Sequence, residues 1–142
     1  MMQSKLKESV QVQAETALLA AQKLLAPWGT QQTETRRIKV TGNGRADSPI
    51  IFIQPGNLPN AIQALMDANW GYLITITGLD LGTEAGDMEV LYHFAAGAAV
   101  VTLCVRVGKE TAVIPSICSI IPSASFFERE LSEMLGITVQ NT

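Results

Sequence analysis

The stretch YLITITGLDLGTEAGDMEVLYHFAAGAAVVTLCVRV, residues 72–107, decides the fold. Its apolar runs are rich in β-branched residues and punctuated by Gly and Asp, which predicts strands over Tyr72 to Gly78, Met88 to Ala95 and Ala98 to Val107. Side chains alternate between faces along a strand. Ile74 and Ile76 therefore oppose Thr75 and Thr77, and Met88, Val90, Tyr92 and Phe94 oppose Glu89, Leu91 and His93. Short links between these runs favour antiparallel neighbours.

Upstream, Arg36 to Thr41 and Pro49 to Gln54 read as two more strands, joined as a hairpin through Gly42-Asn43-Gly44, residues that accept positive φ. Between the hairpin and residue 72, a helix is expected from Asn57 as a capping residue and an early Pro59. Leu58, Ile62, Leu65, Met66 and Trp70 fall on one face, and Gly71 stops it. Near the N-terminus, Val10, Ala14, Ala17, Leu18, Ala21, Leu24 and Leu25 recur at helical spacing up to the breakers Pro27, Trp28 and Gly29. Downstream, Ser125 opens a capping box with Glu128, Phe127, Leu131, Met134 and Leu135 make an apolar helical face, and Gly136 terminates it.

The resulting order, α-β-β-α-β-β-β-α, predicts an α+β fold of two layers: a five-stranded mixed, mostly antiparallel sheet with helices packed on it. At 142 residues the whole chain, 1–142, suits a single domain. Apolar residues make up 47% and charged residues 16%, a leaning that suits burial against partners.

Composition narrows the function classes. The net charge is −3 and the 10 basic residues are scattered, which argues against nucleic acid as a partner. The longest apolar run, Phe94 to Val105, is broken by Thr102 and falls short of the roughly 20 residues that span a bilayer. The segment MMQSKLKESVQVQ lacks the apolar core of a secretory signal, so the cytoplasm is the expected compartment. Cys104 and Cys118 lie outside any CxxC spacing; they are expected as small thiols, with a disulfide between them left open.

A bound Fe–S cluster normally takes four cysteine ligands and a structural zinc four Cys or His side chains, and this chain has two Cys and one His. No cofactor or metal is expected on it. His93 shares its strand face with Glu89 and Leu91 and has no nucleophile at catalytic spacing, so it reads as structural. Gly42-x-Gly44 follows a strand but lacks the third glycine and the helix of a dinucleotide motif. Asp80, Glu128, Glu130 and Glu133 could serve acid/base chemistry if they converged with His93 in one cleft. Their simpler reading is helix-terminus electrostatics: Glu128 in the capping box, Glu130 at the positive end, and Arg129 with Glu133 as an i, i+4 pair.

Local pattern does not explain the doubly punctuated segment Val113-Ile114-Pro115-Ser116 to Pro122 ahead of a charged helix. With Gly78-Leu79-Asp80, Glu89-Val90-Leu91-Tyr92-His93, Val105-Arg106-Val107, Pro122-Ser123-Ala124, Glu128-Arg129-Glu130, Glu133-Met134-Leu135 and Gly136-Ile137, it carries a family likeness. From Leu73 to Ile137 the chain resembles the 30 kDa-type subunit of complex-I-like NADH:quinone oxidoreductases. It also resembles the equivalent Ech-type small subunit of energy-converting membrane-bound NiFe hydrogenases and formate hydrogenlyases. The wording SIIP and FFERELSEMLGI is similar to the hydrogenase branch.

The resemblance implies a non-catalytic peripheral-arm subunit, cytoplasmic and peripheral to the cell membrane, touching the membrane only through its complex. Its partners would be the large quinone or NiFe-type subunit and the small Fe–S subunit, which hold the Fe–S and NiFe cofactors. The residues it points to are Pro115, Ser116, Pro122, Phe126, Glu128, Arg129, Glu130, Glu133 and Gly136, with Phe126, Arg129 and Glu130 expected at the contact. Two departures stand out. Complex I members usually carry an acidic residue and a Trp where this chain reads CSIIPSASFF, and they continue into a basic tail where this chain ends at Gln140-Asn141-Thr142, as a trimmed or short member would. In isolation such a subunit could pair with itself as a homodimer through surfaces meant for partners. The competing reading is a free-standing small-molecule-binding or interaction domain with a pocket between sheet and helices.

Overall fold

A computed structural model describes residues 2–41, 44–82, 84 and 86–140. Of the hairpin turn, Gly42 and Asn43 lie outside the described residues, as do Asn141 and Thr142. The elements are α1 (Met2–Leu25), β1 (Gly29–Thr41), β2 (Gly44–Ile53), α2 (Leu58–Asp67), β3 (Tyr72–Asp80), β4 (Asp87–Ala96), β5 (Ala99–Gly108), β6 (Val113–Pro115), α3 (Ala124–Leu135) and β7 (Thr138–Gln140).

The expected α+β architecture is present: a five-stranded sheet in the order β1-β2-β5-β4-β3 with helices against it. Three of its pairings are antiparallel, and β2 lies parallel to β5 through Ile50↔Thr102 to Phe52↔Cys104. The first hairpin is longer than its β-branched runs suggest, because pairing continues from Thr33↔Ile51 to Thr41↔Gly44 through residues of weak strand propensity. A second sheet, β6 beside β7 in parallel, was not expected from the sequence; each strand is only three residues long, too short to display a period.

The alternation read along β4 sets the two faces. Val90, Tyr92 and Phe94, with Leu103, Val105 and Val107 of β5, form the main core with α1 and α2. Helix α1 contributes Ala21 and Leu25, both fully buried, while Val10 at the other end of its stripe is 48% exposed. Leu58, Ala61, Ile62 and Leu65 bury one face of α2. That helix ends at Asp67 rather than Gly71: Asn69 and Gly71 both adopt positive φ, and Trp70 folds back into the core. The Trp70 indole donates to the Ala17 carbonyl at 2.7 Å, a bond of about 1 kcal/mol that docks α1 on α2. Asn57 makes no side-chain capping bond, because a 3-10 turn over Pro55–Asn57 leads into α2 instead.

The opposite face of the sheet is more polar. Strand β1 is separated from β4 by two strands, about 14 Å in a flat sheet. Yet the Arg36 guanidinium sits 2.8 Å from the Glu89 carboxylate, so the hairpin curls over this face.

Candidate functional site

The residues singled out by the family likeness gather at one end of the molecule, around a buried carboxylate. Helix α3 begins at Ala124 after Ser123, with no side-chain capping bond, so the capping box expected from Ser125 and Glu128 does not form. Glu128 points inward and is 2% exposed. It accepts hydrogen bonds from Ser116 Oγ at 2.8 Å, the Ile117 amide at 2.8 Å and Cys118 Sγ at 3.1 Å. Ser116 Oγ in turn accepts from the Cys118 amide at 3.1 Å. A long-range partner wins because a buried carboxylate needs donors, and the loop after β6 offers several while a helix start at the surface has water.

The other motif residues complete this latch. Pro115, half-buried in β6, pairs with Gln140 of β7, and the Ser116 amide donates to the Gln140 carbonyl at 2.8 Å. Pro122 lies exposed just before α3, its carbonyl accepting from the Ser125 amide. Gly136 ends the helix in the left-handed region at φ 69°, as expected, and Ser132 Oγ ties the exit by donating to the Ile137 carbonyl. Gly78 explains its own place in the motif: a Cβ there would stand 2.9 Å from Leu131 Cδ2 and closer still to Leu135, so its absence lets α3 rest on β3.

With Glu128, Ala124 and Leu131 turned inward, α3 presents Phe126, Arg129, Glu130, Glu133 and Met134 to solvent. Phe126 is 62% exposed and stands edge-on to half-buried Phe127, ring centroids 5.6 Å apart. The i, i+4 pair expected of Arg129 with Glu133 does not form: Arg129 is exposed, and among the described residues neither it nor Glu133 makes an ion pair. It borders instead a cavity of about 410 Å³ shared with Cys118, Ser125, Glu128, Ser132 and Val139.

The buried charge network lies on the far face of the sheet, where the local pattern gave no warning of Arg36. Glu89, fully buried, accepts from Arg36 Nη1 at 2.8 Å, Arg36 Nη2 at 3.2 Å and Arg106 Nε at 3.0 Å. Glu34 binds Arg36 from the same strand. The Arg36 guanidinium, then that of Arg106, hold the Glu89 carboxyl below the usual carboxylate range against the opposing effect of burial. Arg106 also lies over the Phe52 ring at 4.7 Å. Beside this cluster His93 sits between two hydroxyls, Thr77 at 3.1 Å and Thr102 at 2.8 Å, and Thr102 meets Ser48 at 3.0 Å. Burial pushes the His93 imidazole down to about 4, which keeps it neutral, in line with the structural role read from the sequence. A charged residue inside an apolar strand, as at Glu89 and Arg106, was the available signal for this network.

Asp80, His93 and Glu128 therefore do not converge. Asp80 binds Lys109 at 2.8 Å and the Gly82 amide at the surface, His93 is on the far face, and Glu128 is latched on the helix side. Cys104 and Cys118 are both free thiols; burial, with the Glu89 charge adding, pushes Cys104 up to about 12.

A curated relative from Ruegeria pomeroyi, an NADH-quinone oxidoreductase subunit, is 33% identical over 91 residues, 61% of this chain and 46% of that protein. One of the same name from Dinoroseobacter shibae is 38% identical over 87 residues, 56% of this chain and 40% of that protein. The chain thus spans about half the length, or less, of the curated relatives it matches. Among solved structures, a trypsin-resistant fragment of Nqo5 superposes with TM-score 0.64 at 19% identity, covering 89% of this chain and 95% of the fragment. A chain of the membrane-bound sulfane sulfur reductase, an archaeal respiratory membrane complex, does so with TM-score 0.65 at 15% identity, covering 87% and 69%. At such identities these two show the shared fold. The family described as the respiratory-chain NADH dehydrogenase 30 kDa subunit matches residues 51–142, reaching back through α2 and into β2 beyond the motifs read from the sequence, and the chain belongs to that family.

Proposed function

We propose that this chain is a non-catalytic subunit of the peripheral arm of a complex-I-type electron-transfer assembly, holding the large quinone or NiFe-type subunit beside the small Fe–S subunit. The observation that carries this reading is the division of labour on α3: Glu128 is spent on an internal latch, while neighbouring Phe126, Arg129, Glu130 and Glu133 stand at the surface. An aromatic ring and an exposed guanidinium on one rigid helix face are the side chains that dominate binding energy at protein interfaces. With two cysteines and one histidine, the redox centres belong to its partners.

No helix among the described residues is long and apolar enough to cross a membrane, so attachment through the complex fits this reading. The test is affinity purification of the tagged full-length protein from gently solubilised native membranes, with identification of co-purifying chains and assays for iron and nickel. Redox subunits with iron and nickel assign the hydrogenase branch, and iron without nickel the quinone-linked branch. A lone, metal-free protein overturns the proposal. Arg129→Ala should lower recovery of the assembly at least about tenfold, the effect of removing one interface anchor, while leaving the thermal midpoint of the free chain unchanged. Equal losses of assembly and folding would refute the interface role.

A further inference from the structure

The two edges of the main sheet are treated very differently. Edge β1 carries Glu34, Arg36 and Arg37 and has irregular pairing at both ends, the devices by which sheet edges resist further pairing. Edge β3, YLITITGLD, runs nine residues with no Lys, Arg or Pro, has one irregularity near its start, and leaves Tyr72 63% and Leu79 47% exposed. Among the described residues no strand pairs with its outer side. An edge this long, whose one charge is Asp80 at its far end, already paired with Lys109, is a template for a further strand unless something covers it.

A groove of about 230 Å³ runs along that edge, between β3 and α3. Ile76 and Gly78 border it from the face on which α3 rests, while Thr77, whose side chain turns to His93 on the other face, borders it through its backbone. Phe127, Leu131, Met134 and Leu135 form the helical wall, and Glu130 is the groove's charged lining residue, with no basic residue among the lining beside it. Met134, 79% exposed at the lip, supplies an adaptable apolar surface.

We infer that β3 and this groove receive an extended segment of a partner protein in the assembly, which adds a strand to the sheet, seats apolar side chains against Phe127 and Met134, and places a Lys or Arg at Glu130. Backbone pairing along β3 supplies affinity, and the apolar groove with its single carboxylate selects a segment that alternates apolar residues with a basic one. This rests on the reading of the chain as an assembly subunit and names a second contact, apart from Arg129, which faces the cavity on the other side of α3.

Amide hydrogen exchange of the full chain, free and within the assembly purified from membranes, tests it. Amides of residues 75–79 facing away from β4 should exchange at least about tenfold more slowly in the assembly. Glu130→Lys should abolish that protection, whereas Glu15→Lys, exposed on α1 and outside the groove, should keep it; thermal midpoints of both variants check that the chain stays folded. If redox subunits co-purify and the β3 amides exchange as in the free chain, the docking proposal is wrong and the assembly reading stands. If protection survives Glu130→Lys, the basic contact is refuted. Protection that rises with concentration in the isolated chain would assign the edge to a second copy instead. If no redox subunit co-purifies, the assembly reading fails and takes the docking proposal with it.

Discussion

Replacing Glu128 by alanine removes the acceptor on which three donors converge. Ser116 can turn its hydroxyl elsewhere, but the Ile117 amide, 2.8 Å from the lost carboxylate, is left stranded in a buried site. Removing one side of a buried, charged hydrogen-bonded arrangement, the stranded amide included, costs about 3–5 kcal/mol. Glutamine keeps one acceptor oxygen for Ile117, and Ser116 Oγ, already accepting from the Cys118 amide, can accept from the new NH₂ group. Glu128→Gln should therefore cost only about 1–2 kcal/mol. The gap of about 2 kcal/mol corresponds to about 1 M in urea midpoint at a slope near 2 kcal/mol per M. Urea titrations of the wild type and both variants, followed by tryptophan fluorescence, measure it. Equal midpoints for Ala and Gln would refute the latch, because they would mean that volume rather than hydrogen bonding holds this end together.

Glu89→Gln should cost about 2–3 kcal/mol at neutral pH, reduced from the fully buried case because Arg36 and Arg106 are partly exposed. Since the folded carboxyl titrates below its unfolded value near 4.3, its contribution is complete above that value and lost on acidification; acid titrations of the variant should show a flatter limb. His93 acts over a higher window. Its folded value near 4 lies below the unfolded 6.5, so only the unfolded chain takes up a proton between them and stability falls as pH drops from about 6.5 to about 4. His93→Gln should remove that slope, and the imidazole resonances of the wild type should not titrate above pH 5. Gly78→Ala should cost about 1–3 kcal/mol by pushing Leu131 and Leu135 off β3, read as a lower thermal midpoint with faster amide exchange in α3.

Much of the fold was legible because it lives in short-range periodicity. The alternation of Met88 to Phe94 against Glu89 to His93 assigns both faces of β4 correctly, and the stripe ending at Ala21 and Leu25 finds the buried side of α1. The parallel pairing of β2 with β5 and the miniature sheet of β6 and β7 were illegible, since both join residues that only the folded chain brings together. Of the site, the motif residues were found but their roles were not. Glu128 sits three residues after a serine, the spacing of a helix cap, and nothing local reveals that Ser116 and Ile117 approach it from β6. Likewise Arg36 reaches Glu89 only because the hairpin curls, a bend that no strand pattern encodes.

The parallel pairing of β2 with β5 also governs how this chain must be made. The partners of Ile50, Ile51 and Phe52 in β5 lie roughly fifty residues downstream, which a ribosome adding about 5–20 residues per second supplies only about 3–10 s later. During that interval the nascent hairpin displays Pro-Ile-Ile-Phe-Ile with one edge unpaired, a short apolar run of the kind that seeds intermolecular β-structure. The charged strand β1 beside it acts as its gatekeeper during synthesis. Soluble yield is therefore expected to rise with how quickly β5 emerges and with chaperones that shield extended apolar segments.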